Sequence, residues 1–205
     1  MSLPKSTSSE REVFTMEEVD QLVAAAPDLD WQTLILLGFY LGAGLSDCVA
    51  MTWDNVDAAK GLVMYPKKKT GKMVVVPMHA RLSAHLHHVS ATIAGGPLCP
   101  TLFGRTSGGT NGLIEGFKRV VKRAGLDLMA VKGKGSRSVA RRTFHSLRHS
   151  FSTALANAGV SEEVRMKLTG HRSSDIHRKY THMSTAPLKE AIDKLRLAPL
   201  ARPAP

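Results

Sequence analysis

Cysteine is almost missing from this chain. Cys48 and Cys99 are the only two among 205 residues, and their separation matches neither a metal pair nor a redox pair. A disulfide scaffold is excluded, and a reducing compartment leaves both as thiols. Acidic residues are also scarce: 17 Asp and Glu face 28 Lys and Arg, a formal charge of +11 and a pI near 10.0. Such a surface attracts a polyanion, and nucleic acid leads that class. No apolar run approaches the 18 residues a membrane helix needs. Met1 to Glu10 is polar and Ser-rich, with no apolar stretch ahead of a cleavage site, so no secretory signal is read and a cytoplasmic protein is expected. Aromatics make up only 5%, and just three are tyrosines, Tyr40, Tyr65 and Tyr180. No internal repeat is found.

What remains is an ordinary globular composition, 43% hydrophobic, at a length suited to one main domain. Thr15 and Glu18 spell a capping box that starts a helix through about Ala25, and Pro27 ends it. The segment from Asp30 to Leu41 is apolar on every side, which predicts a buried helix. A short helix over about 46–51 follows Gly42-Ala43-Gly44. Trp53 to Val56, Gly61 to Tyr65 and Met73 to Val76-Pro77 read as three strands, the last two joined by a Lys-rich hairpin at Thr70-Gly71. Helices are expected at about 80–90, 112–124, 145–158, 162–169, 174–181 and 186–195, with a loop over 126–143. The predicted class is mainly α with a small antiparallel three-stranded sheet (α+β). Residues 1–12 read as a disordered linker or appended remnant, 13–196 as the functional domain, and 197–205 as a Pro/Ala tail.

Charge is concentrated. Ten basic side chains lie between Lys118 and Arg148, opposed only by Asp127. A solvated face normally mixes signs, so this block points to a polyanion contact. The hairpin lysines Lys67, Lys68, Lys69 and Lys72 are open to a second reading, as edge charges that discourage sheet pairing. His79, His85, His87 and His88 suggest metal at first sight. His85, His87 and His88 are too tightly spaced to converge on one ion from one helix face, and no metal site is predicted.

The most informative stretch is Phe144-His145-Ser146-Leu147-Arg148-His149. At a helix start, His145 and Arg148 share a face near free backbone N–H groups, a suitable place for a phosphate. Leu168-Thr169-Gly170-His171 follows, with Gly170 a natural left-handed helix stop. Tyr180 stands nine residues after His171, flanked by cations, whereas Tyr40 and Tyr65 lie in apolar contexts that suit a core.

These residues resemble the tyrosine recombinases, or phage-type integrases. The match consists of HSLRH for the H-x-x-R box, LTGH for the G-H box, Tyr180 after it, and Lys69 in the KTGK hairpin. FTMEEVDQL and LGAGLSDCVAMTWDNVD extend it over most of residues 14 to 183. The resemblance implies cleavage and rejoining of double-stranded DNA through a 3′-phosphotyrosyl intermediate, by a homo-oligomer on DNA and without a cofactor. Tyr180 is then the nucleophile. His145 accepts or relays its proton, Arg148 and His171 hold the non-bridging oxygens, and Lys69 protonates the leaving 5′-oxygen. Lys67, Lys68, Lys72, Arg141, Arg142 and Arg172 are expected to bind DNA. One departure stands out: where the family pattern carries an arginine, in a form resembling G-x-R-x-S-E, this chain has Gly44. Impaired catalysis is expected, and three origins stay open: a disabled natural relative, an introduced change at Gly44, or another cation such as Arg141 or Arg142 substituting in space. Two other readings are a catalytically inactive DNA-binding relative and a topoisomerase that relaxes DNA alone. Only about 13 residues precede the matched region, so the chain reads as a catalytic domain lacking the family's amino-terminal clamp, with weak, salt-dependent DNA binding expected.

Overall fold

The computed structural model describes residues 12–91, 95–106, 108, 112–128, 130–132, 138–170, 189 and 192–193. The first helix, α1 (Met16–Ala24), begins at the Thr15 capping box, in which the Glu18 N–H donates to Thr15 Oγ1 and the Thr15 N–H to Glu18 Oε2. Its inner face buries Val19 and Leu22. The second, α2 (Leu29–Tyr40), is capped by Asp28 and forms the centre of the fold. Every residue from Thr33 to Tyr40 is buried, and each large apolar side chain there contributes about 1.5–3 kcal/mol. Around it pack α1, α4 (Ala80–Ser90) and α6 (Phe144–Asn157). Gly38 permits the close crossing of α6, because a Cβ there would stand 2.6 Å from Phe144 Cζ.

Beyond α2, Gly42 turns the chain at φ 57° into α3 (Leu45–Ala50). A three-stranded antiparallel sheet follows in the order β1 (Val56–Asp57), β2 (Leu62–Pro66), β3 (Met73–Pro77). Its register pairs Val63 with Val76 and Tyr65 with Val74, so these four side chains share the buried face. The mainly helical class with one such sheet is therefore as the sequence predicts. Two local readings need correction. Trp53–Asn55 is a 3-10 turn, closed by the Asn55 side chain accepting from the Thr52 N–H, and of the expected segment only Val56 pairs, with Asp57 as the other residue of β1. The expected loop over 126–143 holds a short antiparallel pair, β4 (Ala130–Lys132) with β5 (Ser138–Ala140).

The remaining described helices are α5 (Leu113–Arg123) and α7 (Glu162–Thr169), each within a residue of its expected bounds. α7 starts at a Ser161 cap and stops at Gly170, φ 62°. The helix expected at 174–181 lies outside the described residues. Of the one expected at 186–195, residues 189, 192 and 193 are helical, and Ile192 is fully buried in the main core. Among the described residues, no helix is long and apolar enough to cross a membrane.

Candidate DNA-cleavage site

Arg148 is the focus of the site. It lies on the second turn of α6, only 6% exposed, and its guanidinium spans two distant backbone segments. One Nη donates to Gly42 O at 2.5 Å, the other to Thr169 O at 2.6 Å. The turn before α3, the first half of α6 and the end of α7 are thereby fastened to one cation. Burial works against that charge and lowers the Arg148 pKa, while Tyr65, Asp47 and Cys48 oppose the shift. Two charge-assisted bonds to carbonyls offset part of the desolvation.

Two further contacts close the neighbourhood. Lys67 Nζ donates to Gly170 O at 2.9 Å, across 103 residues. The Lys68 N–H donates to Asp47 Oδ1 at 2.9 Å, which ties the β2–β3 hairpin to α3. Position 44 has ordinary extended backbone, φ −75° and ψ 156°, and a Cβ built there meets only Asp47 Oδ2, at 3.4 Å. Lys67 is half-buried. Desolvation first, then the neighbouring Arg148 charge, lower its pKa.

His145 is exposed on the first turn of α6, its ring edge-on to His149 with centroids 4.9 Å apart. It borders a cleft of about 400 Å³ with Leu45, Ile114, Phe117, Lys118, Thr143 and Phe144. Lys69 and Lys68 are exposed at the hairpin end, and Lys72 is half-buried beside them. Arg142 pairs with Glu18 at 2.8 Å and Arg141 with Glu12 at 3.2 Å, joining the segment before α6 to the start of the fold. Arg142 also lies 5.1 Å over the Phe14 ring. His171, Arg172 and Tyr180 lie outside the described residues. Tyr40 and Tyr65 are core residues, 0% and 1% exposed. Among the described residues, no three His, Cys, Asp or Glu side chains gather as a metal ion requires.

Two features escape the sequence reading, the role of Asp47 and the inward turn of Lys67, which the sequence marks only as a DNA contact. Asp47 is the carboxylate that joins hairpin and helix, and Lys67 is the lysine that turns inward. Strand alternation carries a signal for the second, since Val63 and Tyr65 face the core and 67 is the next position on that face.

The phage integrase family profile matches residues 12–186. Tyrosine recombinase XerA of Pyrococcus horikoshii is 28% identical over 200 residues, covering 96% of this chain and 63% of that protein. Tyrosine recombinase XerD of Neisseria meningitidis is 25% identical over 200 residues, covering 92% and 64%. The chain thus spans less than two thirds of these relatives. Among solved structures, the integrase from mycobacterium phage Brujita superposes with a TM-score of 0.66 at 20% identity, covering 96% of this chain and 62% of that one. A lambda integrase (75–356) dimer bound to a COC′ core site gives 0.59 at 20%, covering 83% and 61%. These structural likenesses concern the fold. With the family profile covering most of its length, the chain belongs to the phage integrase family.

Proposed function

We propose that this chain is the catalytic part of a DNA strand transferase, spanning about 13–196, that breaks and rejoins one strand through Tyr180. The observation that carries this reading is the Arg148 bridge: it gathers segments separated by over 100 residues, one leading to Gly44 and another to His171, around a single guanidinium. A phenol is a weak nucleophile at neutral pH, so Tyr180 needs a proton acceptor and a field that favours its oxyanion. His145, exposed on the first turn of α6, takes or relays that proton. Tyr180 Oη attacks phosphorus, the bond to the 5′-oxygen breaks, and the protein keeps a 3′-phosphotyrosyl ester. Arg148 and His171 donate to the non-bridging oxygens, where charge accumulates. Lys69, exposed on the hairpin, delivers a proton to the leaving 5′-oxygen. Attack by another strand's 5′-hydroxyl reverses the step and conserves the bond, so no nucleotide cofactor is needed.

The burial of Tyr40 and Tyr65 supports Tyr180, since neither can reach a DNA backbone. Double-stranded DNA is the substrate, and assembly as a homo-oligomer on it follows from the need to exchange strands between sites. Lys67, Lys68, Lys72 and Arg172 are the phosphate contacts nearest this site. Arg141 and Arg142 combine DNA contact with their pairing to Glu12 and Glu18. Gly44 leaves out one transition-state donor, and catalysis is impaired accordingly. That same glycine favours the second reading, a DNA-binding relative that has lost cleavage. Incubation with a nicked suicide duplex separates them. The first reading expects a slow, denaturation-resistant protein–DNA adduct, absent in Tyr180→Phe and accelerated in Gly44→Arg; no adduct from any version leaves the second.

A further inference from the structure

The reading above, on which this inference rests, leaves a deficit of charge at position 44. Arg141 and Arg142 are engaged by Glu12 and Glu18, and Lys68 and Lys69 are exposed at the hairpin end. Lys67 differs from all four. It continues the inward face of β2 and is half-buried, with its ammonium on Gly170 O. Arg148 holds the preceding carbonyl, Thr169 O, so consecutive carbonyls of one turn anchor two cations. Arg148 and Lys72 both act on Lys67 as like charges, and the Asp47 carboxylate opposes them. Cations gathered on neutral carbonyls repel one another, and an anion entering between them removes that cost. Asp47 also connects this cluster to position 44, with Oδ1 on the Lys68 N–H and Oδ2 facing the glycine.

We propose that Lys67 is the second cation on the scissile phosphate, donating to its non-bridging oxygens in place of the guanidinium that glycine at position 44 lacks. The ammonium keeps its bond to Gly170 O and has two further N–H donors for the phosphate. It transfers no proton; leaving-group protonation stays with Lys69. A point charge lacks the paired donors of a guanidinium, so the substitution is partial.

The test is the rate of covalent adduct on the nicked suicide duplex, measured for Lys67→Met, Lys67→Arg and Lys69→Met. Each is made in the chain as it stands and in Gly44→Arg. Each is assayed with an ordinary 5′-oxygen and with a bridging 5′-sulfur, a leaving group that needs no proton. Lys67→Met is expected to lose about 10²–10³ in rate in the chain as it stands, the range for one transition-state donor, and under about tenfold in Gly44→Arg. Lys67→Arg retains activity. Sulfur rescues Lys69→Met and leaves the Lys67→Met defect in place. Equal losses in both backgrounds, or rescue of Lys67→Met by sulfur, overturn the proposal. Adduct from Gly44→Arg but none from the chain as it stands overturns it too, while the strand-transferase reading survives. No adduct from either removes that reading and this one together.

Discussion

Replacing Gly44 by arginine is the most informative single change, because the proposed function predicts a large effect on rate and the structure a small one on stability. Backbone strain is absent: φ −75° is available to any residue, and the new Cβ touches only Asp47 Oδ2 at 3.4 Å. Gly44 also occupies the N-cap of α3 without a side-chain bond. Loss of a glycine cap costs about 0.5–1 kcal/mol, offset by about 0.4–1 kcal/mol from a less flexible unfolded chain. The two nearly cancel, so the melting temperature should move by only a few degrees. Asp47 Oδ2, one turn further along α3, can orient the guanidinium while Oδ1 stays on Lys68. Restoring one transition-state donor is worth about 3–4 kcal/mol, or 10²–10³ in rate. Single-turnover adduct formation on a nicked duplex reads this directly, with thermal denaturation of both proteins as the folding control. Equal rates in two equally stable proteins would refute the assignment of position 44 to the phosphate.

Three further outcomes follow from the packing. Gly42→Ala forces a Cβ to 2.6 Å from Phe151 Cδ1 at φ 57°; strain and overpacking together cost about 2–5 kcal/mol, and urea denaturation should show it. Arg148→Lys leaves one of Gly42 O and Thr169 O unmet, because an ammonium cannot span both; about 1–3 kcal/mol of stability is lost, together with adduct formation. His85 bonds Thr33 Oγ1 at 2.8 Å, and burial, aided by His88 and Arg81, lowers its pKa to about 4. The neutral ring is the folded form, so its contribution is complete above pH 6.5 and disappears as pH falls through about 4. NMR titration should find His85 neutral at pH 5.5, and a midpoint near 6.5 contradicts this.

Local chemistry made much of the fold legible. The Thr15–Glu18 pair and the unbroken apolar run of α2 specify a capped helix and a central helix without reference to the rest of the chain. The β2–β3 hairpin is equally plain, because alternation and the Gly71 turn agree. What escaped are short elements decided by tertiary contacts. Three-residue strands such as β4 and β5 carry too little periodicity to separate from a loop, and Trp53–Asn55 was drawn from strand into a 3-10 turn by the Asn55 cap. In the site, motif spelling singled out Arg148, but its role as a bridge between Gly42 and Thr169 depends on how α6 crosses α2 and meets α7. Spelling likewise favours Lys69 in KTGK and offers Lys67 only as a DNA contact; its inward turn belongs to strand geometry.

The central claim is that a DNA phosphoryl group is transferred onto a phenolic oxygen of this chain. Mass spectrometry of the nuclease- and protease-digested adduct formed by Gly44→Arg tests it most directly. The account predicts one modified peptide, with Tyr180 carrying a nucleotide through its 3′-phosphate and a free 5′-hydroxyl on the released strand. Linkage through a 5′-phosphate, attachment at another residue, or an unmodified Tyr180 peptide alone contradicts it.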